Sequence, residues 1–325
     1  MIRRPIKLLA AGTMAATMLT AAGARAERSA LPPETGYNHG DEEEARSAAL
    51  GGALRATGNG ITSVFGNPAG VAATRVYHLG AVAGIWPEAR RQSYGAAATD
   101  SVTSRLALGV GFVWNDQDPD GLKRRSQDLR VVAAYPFSDK VSFGMAARYL
   151  KLRQNGLGPL GYSYASGGLS NANVIDGFSF DAGIRVAPNE NVSIGAVGTN
   201  LSNPGNGFQP TTFGGGIGVG NDSIVVEADG VADFTTWQKT TMRAMGGLEY
   251  LAADRFPLRA GYRFDGGRQS HAISGGLGYV DTQFAFEVGV RRVVSGDAAT
   301  TIVFTMQYFV ESSGLTRSPQ PMGEF

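Results

Sequence analysis

The feature that most constrains this chain is where its charges fall within segments of about ten residues that alternate apolar with polar or small. Fourteen such segments follow one another: 76–86, 91–99, 104–114, 127–136, 140–150, 174–186, 190–200, 211–219, 223–233, 240–250, 256–265, 270–280, 283–294 and 299–310. A period of two marks β-strands, and this length and spacing are those of strands that cross a bilayer. In 104–114, Leu106, Leu108, Val110, Phe112 and Trp114 share one phase and Arg105 the other. In 256–265, Leu258, Ala260, Tyr262 and Phe264 oppose Arg259, Arg263 and Asp265. Phe178, Phe180 and Ile184 oppose Asp181 and Arg185, and Phe284, Phe286, Val288 and Val290 oppose Glu287 and Arg291. Arg130, Arg148, Glu227, Asp229, Arg243 and Glu249 obey the same rule.

One Arg at the bilayer midplane on a lipid face costs about 2–4 kcal/mol, so several there would forbid insertion. Their confinement to one phase therefore predicts an all-β transmembrane antiparallel β-barrel of about 14 strands, with these charges lining the lumen. A soluble sandwich or lipocalin alternates with the inverse phase, which would leave Arg and Glu outside among many glycines. The aromatics Trp114, Tyr135, Tyr149, Tyr250 and Tyr279 near segment ends fit membrane-interface girdles instead. Composition agrees: 18% of residues are charged and 46 are Gly, which suits a sheet with one face out of water. A net charge of +1 gives no support to nucleic-acid binding, and the absence of Cys excludes disulfides and thiolate chemistry.

Four parts follow. In 1–26, Arg3, Arg4 and Lys7 precede an apolar run from Leu8 to Ala22 and then Ala24-Arg25-Ala26, the pattern of a cleavable signal peptide. The run is too short and too diluted for a membrane anchor. Residues 27–75 precede the strands, 76–310 hold the barrel, and 311–325 form a polar tail expected in the periplasm. Within the second part, Asp41 to Thr57 is expected to form a short helix, acidic first and basic later, weakened at Gly51-Gly52. Turns are short after even-numbered strands (Ser138-Asp139, Asp281-Thr282) and longer after several odd ones, which places both termini on the periplasmic side. The last strand, Ala299 to Val310, resembles those by which barrel-assembly machinery recognises its clients.

The stretch Ser47 to Ala72, with Phe65 followed by Gly66 and then Asn67, Pro68, Ala69 and Gly70, resembles the N-terminal signature of the FadL/PorV superfamily of outer-membrane proteins. Pro257 to Tyr279 is similar to the late hairpin of that superfamily. The resemblance implies a cell outer membrane location and an N-terminal segment folded into the lumen as a hatch, with Asn-Pro-Ala-Gly at its heart. It also implies passage of hydrophobic small molecules or lipids, with a lateral gap in the wall near the third strand. One branch transports such compounds passively; the PorV branch instead serves a secretion or surface-assembly system without transporting. External loops here are short for a large hydrophobic capture region, which argues against long-chain fatty acids. Independently of the resemblance, Pro68 removes a donor, Gly66 and Gly70 permit tight turns, and Asn67 can bond local backbone. The segment can thus plug the lumen or simply lead into the first strand.

Other features carry less chemistry. Asp116, Asp118 and Asp120, followed by Gly121, form the first half of a calcium loop, but Gln127 stands where the closing Glu belongs. A solvated acidic loop beside Lys123, Arg124 and Arg125 is the plainer reading, and no other cofactor is expected. The three histidines, His39, His78 and His271, offer no hydrolase triad, and Gly216-x-Gly218-x-Gly220 lacks the helix a dinucleotide motif requires. Those glycines are expected to leave room for the hatch or to let the wall bend. The lumen charges, mixed in sign, read as a salt-bridged network more readily than as an ion-selective pore.

Overall fold

A computed structural model of the chain describes residues 42–75, 77–118, 123–154, 173–204, 208–237 and 239–310. The expected signal peptide 1–26 and the C-terminal tail 311–325 lie outside these residues. Fourteen strands follow the N-terminal segment. They are β1 (Tyr77–Trp86), β2 (Arg91–Asp100), β3 (Ala107–Gln117), β4 (Arg124–Ser138), β5 (Val141–Gln154), β6 (Asn173–Asn189) and β7 (Val192–Thr199). They continue with β8 (Thr212–Gly220), β9 (Ile224–Asp233), β10 (Thr241–Ala252), β11 (Phe256–Asp265), β12 (Ser270–Val280), β13 (Phe284–Ser295) and β14 (Thr300–Phe309). Each pairs antiparallel with its chain neighbours, and β1 closes on β14 from His78 opposite Phe309 to Ile85 opposite Ile302. Closure leaves no sheet edge, the condition for spanning hydrocarbon without unsatisfied backbone.

The alternation has the predicted sense. Along β3, Leu108, Val110 and Phe112 are exposed, while Gly109, Gly111 and Val113 face in. Val131, Phe180, Ile217, Leu248, Phe286 and Phe304 continue the apolar belt around the outside. Monomeric soluble proteins rarely expose contiguous apolar patches beyond a few hundred Å2, and a belt encircling the molecule belongs in lipid. This is a transmembrane barrel of the outer-membrane kind.

Two expectations about the wall need correction. The third strand starts at Ala107 instead of residue 104, because the Asp100 carboxylate accepts bonds from the Val102 and Thr103 amides and the Thr103 hydroxyl. That local turn chemistry outcompetes strand pairing. Arg105 consequently sits in the turn, exposed, with its guanidinium 5.2 Å from the Tyr135 ring centroid; it does not line the lumen. Nor is there a gap at the third strand. β3 keeps unbroken register with β2 from Arg91–Gln117 to Asp100–Leu108, and with β4 from Ala107–Ala134 to Gln117–Arg124.

The core lies inside the barrel. The N-terminal segment makes helix α1 (Ala45–Ala49), helix α2 (Gly60–Phe65) and a 3-10 turn at Pro68–Ala72. The expected helix over 41–57 is therefore cut short, as Gly51 and Gly52 take φ of 67° and 90° that favour glycine. Val64, Val71 and Ala72 pack on Ala107, Val132, Ala134 and Ala146; Ala45 and Ala48 pack on Val82 and Val303; Ala53 packs on Val231 and Met245. Placing Arg at Val131, outward in mid-strand of β4, is expected to cost about 2–4 kcal/mol. It should lower the urea midpoint of the heat-modifiable folded band in detergent; an unchanged midpoint would contradict the lipid-facing assignment.

Candidate functional site

The hatch is seated by wall side chains from almost every direction. Glu42 receives Arg91 of β2 at 3.1 Å and the Asn115 amide of β3 at 2.8 Å. Glu43 meets Arg291 of β13 at 2.6 Å. Arg46 begins a relay through Glu249 (2.9 Å), Arg259 (2.5 Å) and Glu287 (2.6 Å), linking α1 to β10, β11 and β13. On β9, Asp229 accepts the Leu54 and Arg55 amides and the Arg55 guanidinium, all within 3.1 Å. Glu227 takes the next two amides, Ala56 at 2.7 Å and Thr57 at 3.1 Å. Two carboxylates thus hold four successive hatch N–H groups that have no helix or sheet to satisfy them. From the other side, Arg185 Nε and the Ser193 hydroxyl both donate to the Ala56 carbonyl, at 2.8 and 2.6 Å.

Asn67 both caps and anchors. Its Oδ1 accepts the Ala69 amide at 3.1 Å, starting the 3-10 turn with Pro68 in the first position. Its Nδ2 donates to the Arg55 carbonyl at 2.8 Å and to the Ile184 carbonyl of β6 at 3.1 Å. Ala69 is held by the Ser142 hydroxyl of β5, and Phe65 by Arg130, whose guanidinium also lies over its ring. Gly70 fits tightly against the Gly58 carbonyl. Asp128, missed in the sequence, bridges Arg130 and Arg148 at 3.3 and 2.6 Å. It shares the inward phase of Arg130, a signal that could have found it. Asp181 accepts the Asn200 amide, and Arg243 reaches Asp233 at 4.0 Å.

Inward glycines make this approach possible. A Cβ at Gly195 would stand 1.9 Å from the Arg55 carbonyl oxygen, and one at Gly289 would stand 2.1 Å from that of Ala45. Gly144, Gly183 and Gly261 would strike Pro68, Asn67 and Leu50 equally hard, and Gly218 would strike Thr57. The hatch backbone lies directly against the wall.

Between the hatch and the barrel end carrying the β9–β10 and β11–β12 connections lies a cavity of about 180 Å3. Phe65, Leu54, Val197, Pro210, Trp237 and Met245 line it together with Arg130, Arg148, Asp181, Arg243, Arg263 and Asp265. Its wall mixes apolar with charged side chains. The calcium expectation gains no geometry. Asp116 pairs with exposed Arg125 at 3.3 Å, Asp118 lies just past the end of β3, and Asp120 lies outside the described residues. Among the described residues no group of three or more metal-capable side chains occurs.

No protein-family model and no curated protein matches the sequence. Solved structures do. The toluene transporter TbuX of Ralstonia pickettii aligns with a TM-score of 0.61 at 15% identity, covering 84% of this chain and 100% of that one. The CymD monoaromatic hydrocarbon channel gives 0.60 at 16%, covering 84% and 98%. A Pseudomonas aeruginosa FadL homologue gives 0.55 at 13%, covering 82% and 97%. The fold is the FadL barrel. At such identity the likeness is one of architecture, and it spans nearly the whole of each of those chains.

Glu44 caps α1 by accepting the Arg46 and Ser47 amides, and also takes the Thr62 hydroxyl. Burial, with the Glu287 carboxylate nearby, pushes Glu44 up to about 7 against the pull of Arg259 and Arg46. An acid with a raised pKa holds its proton more tightly when seated, so its contribution weakens as pH rises from about 4.5 through about 7. Conductance in planar bilayers is accordingly expected to be lower at pH 5 than at pH 8, with Glu44→Gln flattening the difference. A profile identical in the variant would remove Glu44 from the seating. Gly195→Val is expected to expel the hatch and raise conductance strongly, and Asn67→Ala to raise it less. Gly230→Ala, where an added methyl meets nothing within 4 Å, should leave conductance as it is. Wild-type conductance in Gly195→Val with an intact barrel would contradict the close seating.

Proposed function

We propose that this chain is a passive conduit for small hydrophobic or amphipathic molecules of about single-ring size, with the hatch closing the lumen. The observation that carries this reading is the cavity between hatch and wall, in a barrel of the architecture shared with a toluene transporter and a monoaromatic hydrocarbon channel. An apolar protein cavity of about 150 Å3 holds a benzene molecule. The 180 Å3 here suits one ring and falls well short of a long alkyl chain. Its lining explains an amphipathic preference. A flat ring can lie against Phe65, Trp237 and Met245 while Arg130 and Arg148, held by Asp128, and Arg243, near Asp233, keep their acidic partners and do not demand a charged guest. A concentration gradient suffices to drive passage.

The secretion-adaptor reading draws no support from these comparisons, whose matches are named as transporters and channels. Whether the acidic residues Asp116 and Asp118 bind calcium is a separate matter that the conduit does not require.

The test uses purified protein in vesicles with a lipopolysaccharide outer leaflet and a phosphatidylethanolamine inner leaflet, a barrier that slows aromatic solutes. Toluene is expected to equilibrate several-fold faster than in protein-free vesicles, and palmitate no faster. Val197→Phe, which fills the cavity from β7, should abolish the gain. Toluene flux no faster than through protein-free vesicles would overturn the proposal.

A further inference from the structure

Around the closing seam of the barrel, the residues that face lipid change abruptly in size. β1 and β2 turn small side chains outward, Ala81, Ala83, Ala96 and Ala98. Phe304 and Met306 of β14 stand directly opposite Ala83 and Ala81, with Phe286 of β13 opposite Met306. The difference in height leaves an apolar groove of about 770 Å3 on the outer belt. Val82, Glu287 and Thr305 also border it. Their side chains are engaged inside the barrel, where Val82 packs on Ala45, Glu287 binds Arg259 and Thr305 accepts the Ala45 amide. They reach the groove through backbone alone, which leaves the groove itself without charge.

The groove follows opposed residues from Tyr94 across Ala83, Phe304, Val288 and Leu277 to Phe256. It crosses from β2 to β11, and five interstrand steps of about 4.8 Å make it about 24 Å long. With strands leaning about 40°, it descends about 15 Å, one leaflet of a hydrocarbon core about 30 Å thick. Its lower end meets the β10–β11 and β12–β13 turns, periplasmic by their shortness. There the Phe256 and Tyr279 rings lie 5.7 Å apart, and the Tyr279 hydroxyl donates to Asp281 at 3.1 Å. Bonds from the Thr282 amide and hydroxyl and from Tyr279, with Arg255 in electrostatic reach, hold the Asp281 carboxyl below its ordinary range. Arg255, beside Phe256 in the chain, is exposed, and its guanidinium has no hydrogen-bond partner among the described residues. Its carbonyl accepts the Val280 amide at 2.8 Å, which ties the two turns together. An apolar channel of leaflet depth thus ends at one cation and one anion.

We propose that this groove holds one zwitterionic phospholipid of the periplasmic leaflet, its acyl chain along the groove, its phosphate on Arg255 and its ammonium on Asp281. A guanidinium matches phosphate with a fork of donors, and the ionised carboxylate keeps acceptor capacity for an ammonium. Phosphatidylethanolamine carries both charges; phosphatidylglycerol lacks the second. A second copy of the chain fits the groove less well. A two-fold contact sets the same patch against itself, groove on groove, and leaves unfilled the space that close packing requires to be occupied. Because the groove crosses β1 and β14, a lipid that binds only the folded barrel stabilises the closed seam by mass action. This site is independent of the conduit reading, and neither stands or falls with the other.

The test titrates lipid-free barrel in detergent with phosphatidylethanolamine or phosphatidylglycerol and counts retained lipid by native mass spectrometry. One phosphatidylethanolamine per barrel is expected, retained at several-fold lower lipid concentration than phosphatidylglycerol. Ala83→Phe, which fills the groove from a position facing away from the hatch, should abolish retention. Arg255→Gln should weaken both lipids several-fold, and Asp281→Asn should remove the preference between them. Lys140→Gln, an exposed cation at the β4–β5 turn on the same side of the membrane, should change nothing. If Ala83→Phe fails to fold, Arg255→Gln, in an exposed turn, decides alone. Retention unchanged in Ala83→Phe or Arg255→Gln, equal retention of the two lipids by the wild type, or barrel dimers in place of lipid adducts overturns the proposal.

Discussion

Everything in this molecule follows from the exclusion of charge from the outer face. Hydrocarbon outside the strands admits Val131, Phe180 and Phe304 but no guanidinium, so the ionic side chains at mid-strand are gathered into one narrow lumen, and those on the outer face, such as Arg125, stand near strand ends. There they must be paired, because a confined charge without a partner costs several kcal/mol. The wall cannot pair them all with itself. Arg291 and Arg91 depend on Glu43 and Glu42, Asp229 on Arg55, and Glu249 is shared between Arg46 of the hatch and Arg259 of the wall. The hatch is thus the counter-charge that lets the lumen be polar, and barrel and hatch are interdependent.

Close approach is the second consequence. Hatch amides between Leu54 and Thr57 reach Glu227 and Asp229 because the facing positions on β7 and β8, Gly195, Gly214 and Gly218, carry no side chain. The abundance of glycine in the sequence therefore has a specific use. It marks where backbone meets backbone, and it converts a wall that would otherwise repel the hatch into a seat for it.

How much of this the sequence disclosed depends on which physical signal carries each feature. The period of two and the one-sided charge are properties of every strand, so the strand count and the inward set from Arg130 to Arg291 could be read directly. Arg105 was misassigned because phase says nothing of where a strand begins, and the Asp100 side chain settles that locally. Asp128 lay in plain phase with Arg130 and was overlooked. Helix α2 is six residues long, too brief for periodicity to announce it. Asn67 was recognisable as a cap, whereas its bond to the Ile184 carbonyl joins positions 117 apart in the chain and leaves no local trace.

A polar lumen is at first sight a poor passage for a hydrocarbon, and that conflict bears on the route. An aromatic ring moving from a wet, charged cavity into lipid removes about 150 Å2 of apolar surface from water, worth about 4 kcal/mol. Passing onward through the hatch would instead require breaking the Glu42, Glu43 and Asp229 contacts and exposing their partners, with no apolar reward until the far side. Each of those buried pairs costs about 3–5 kcal/mol to break by removal of one partner. The arrangement that forces charges inward therefore also fixes the hatch in its seat, and a solute crossing the lumen has to contend with those pairs.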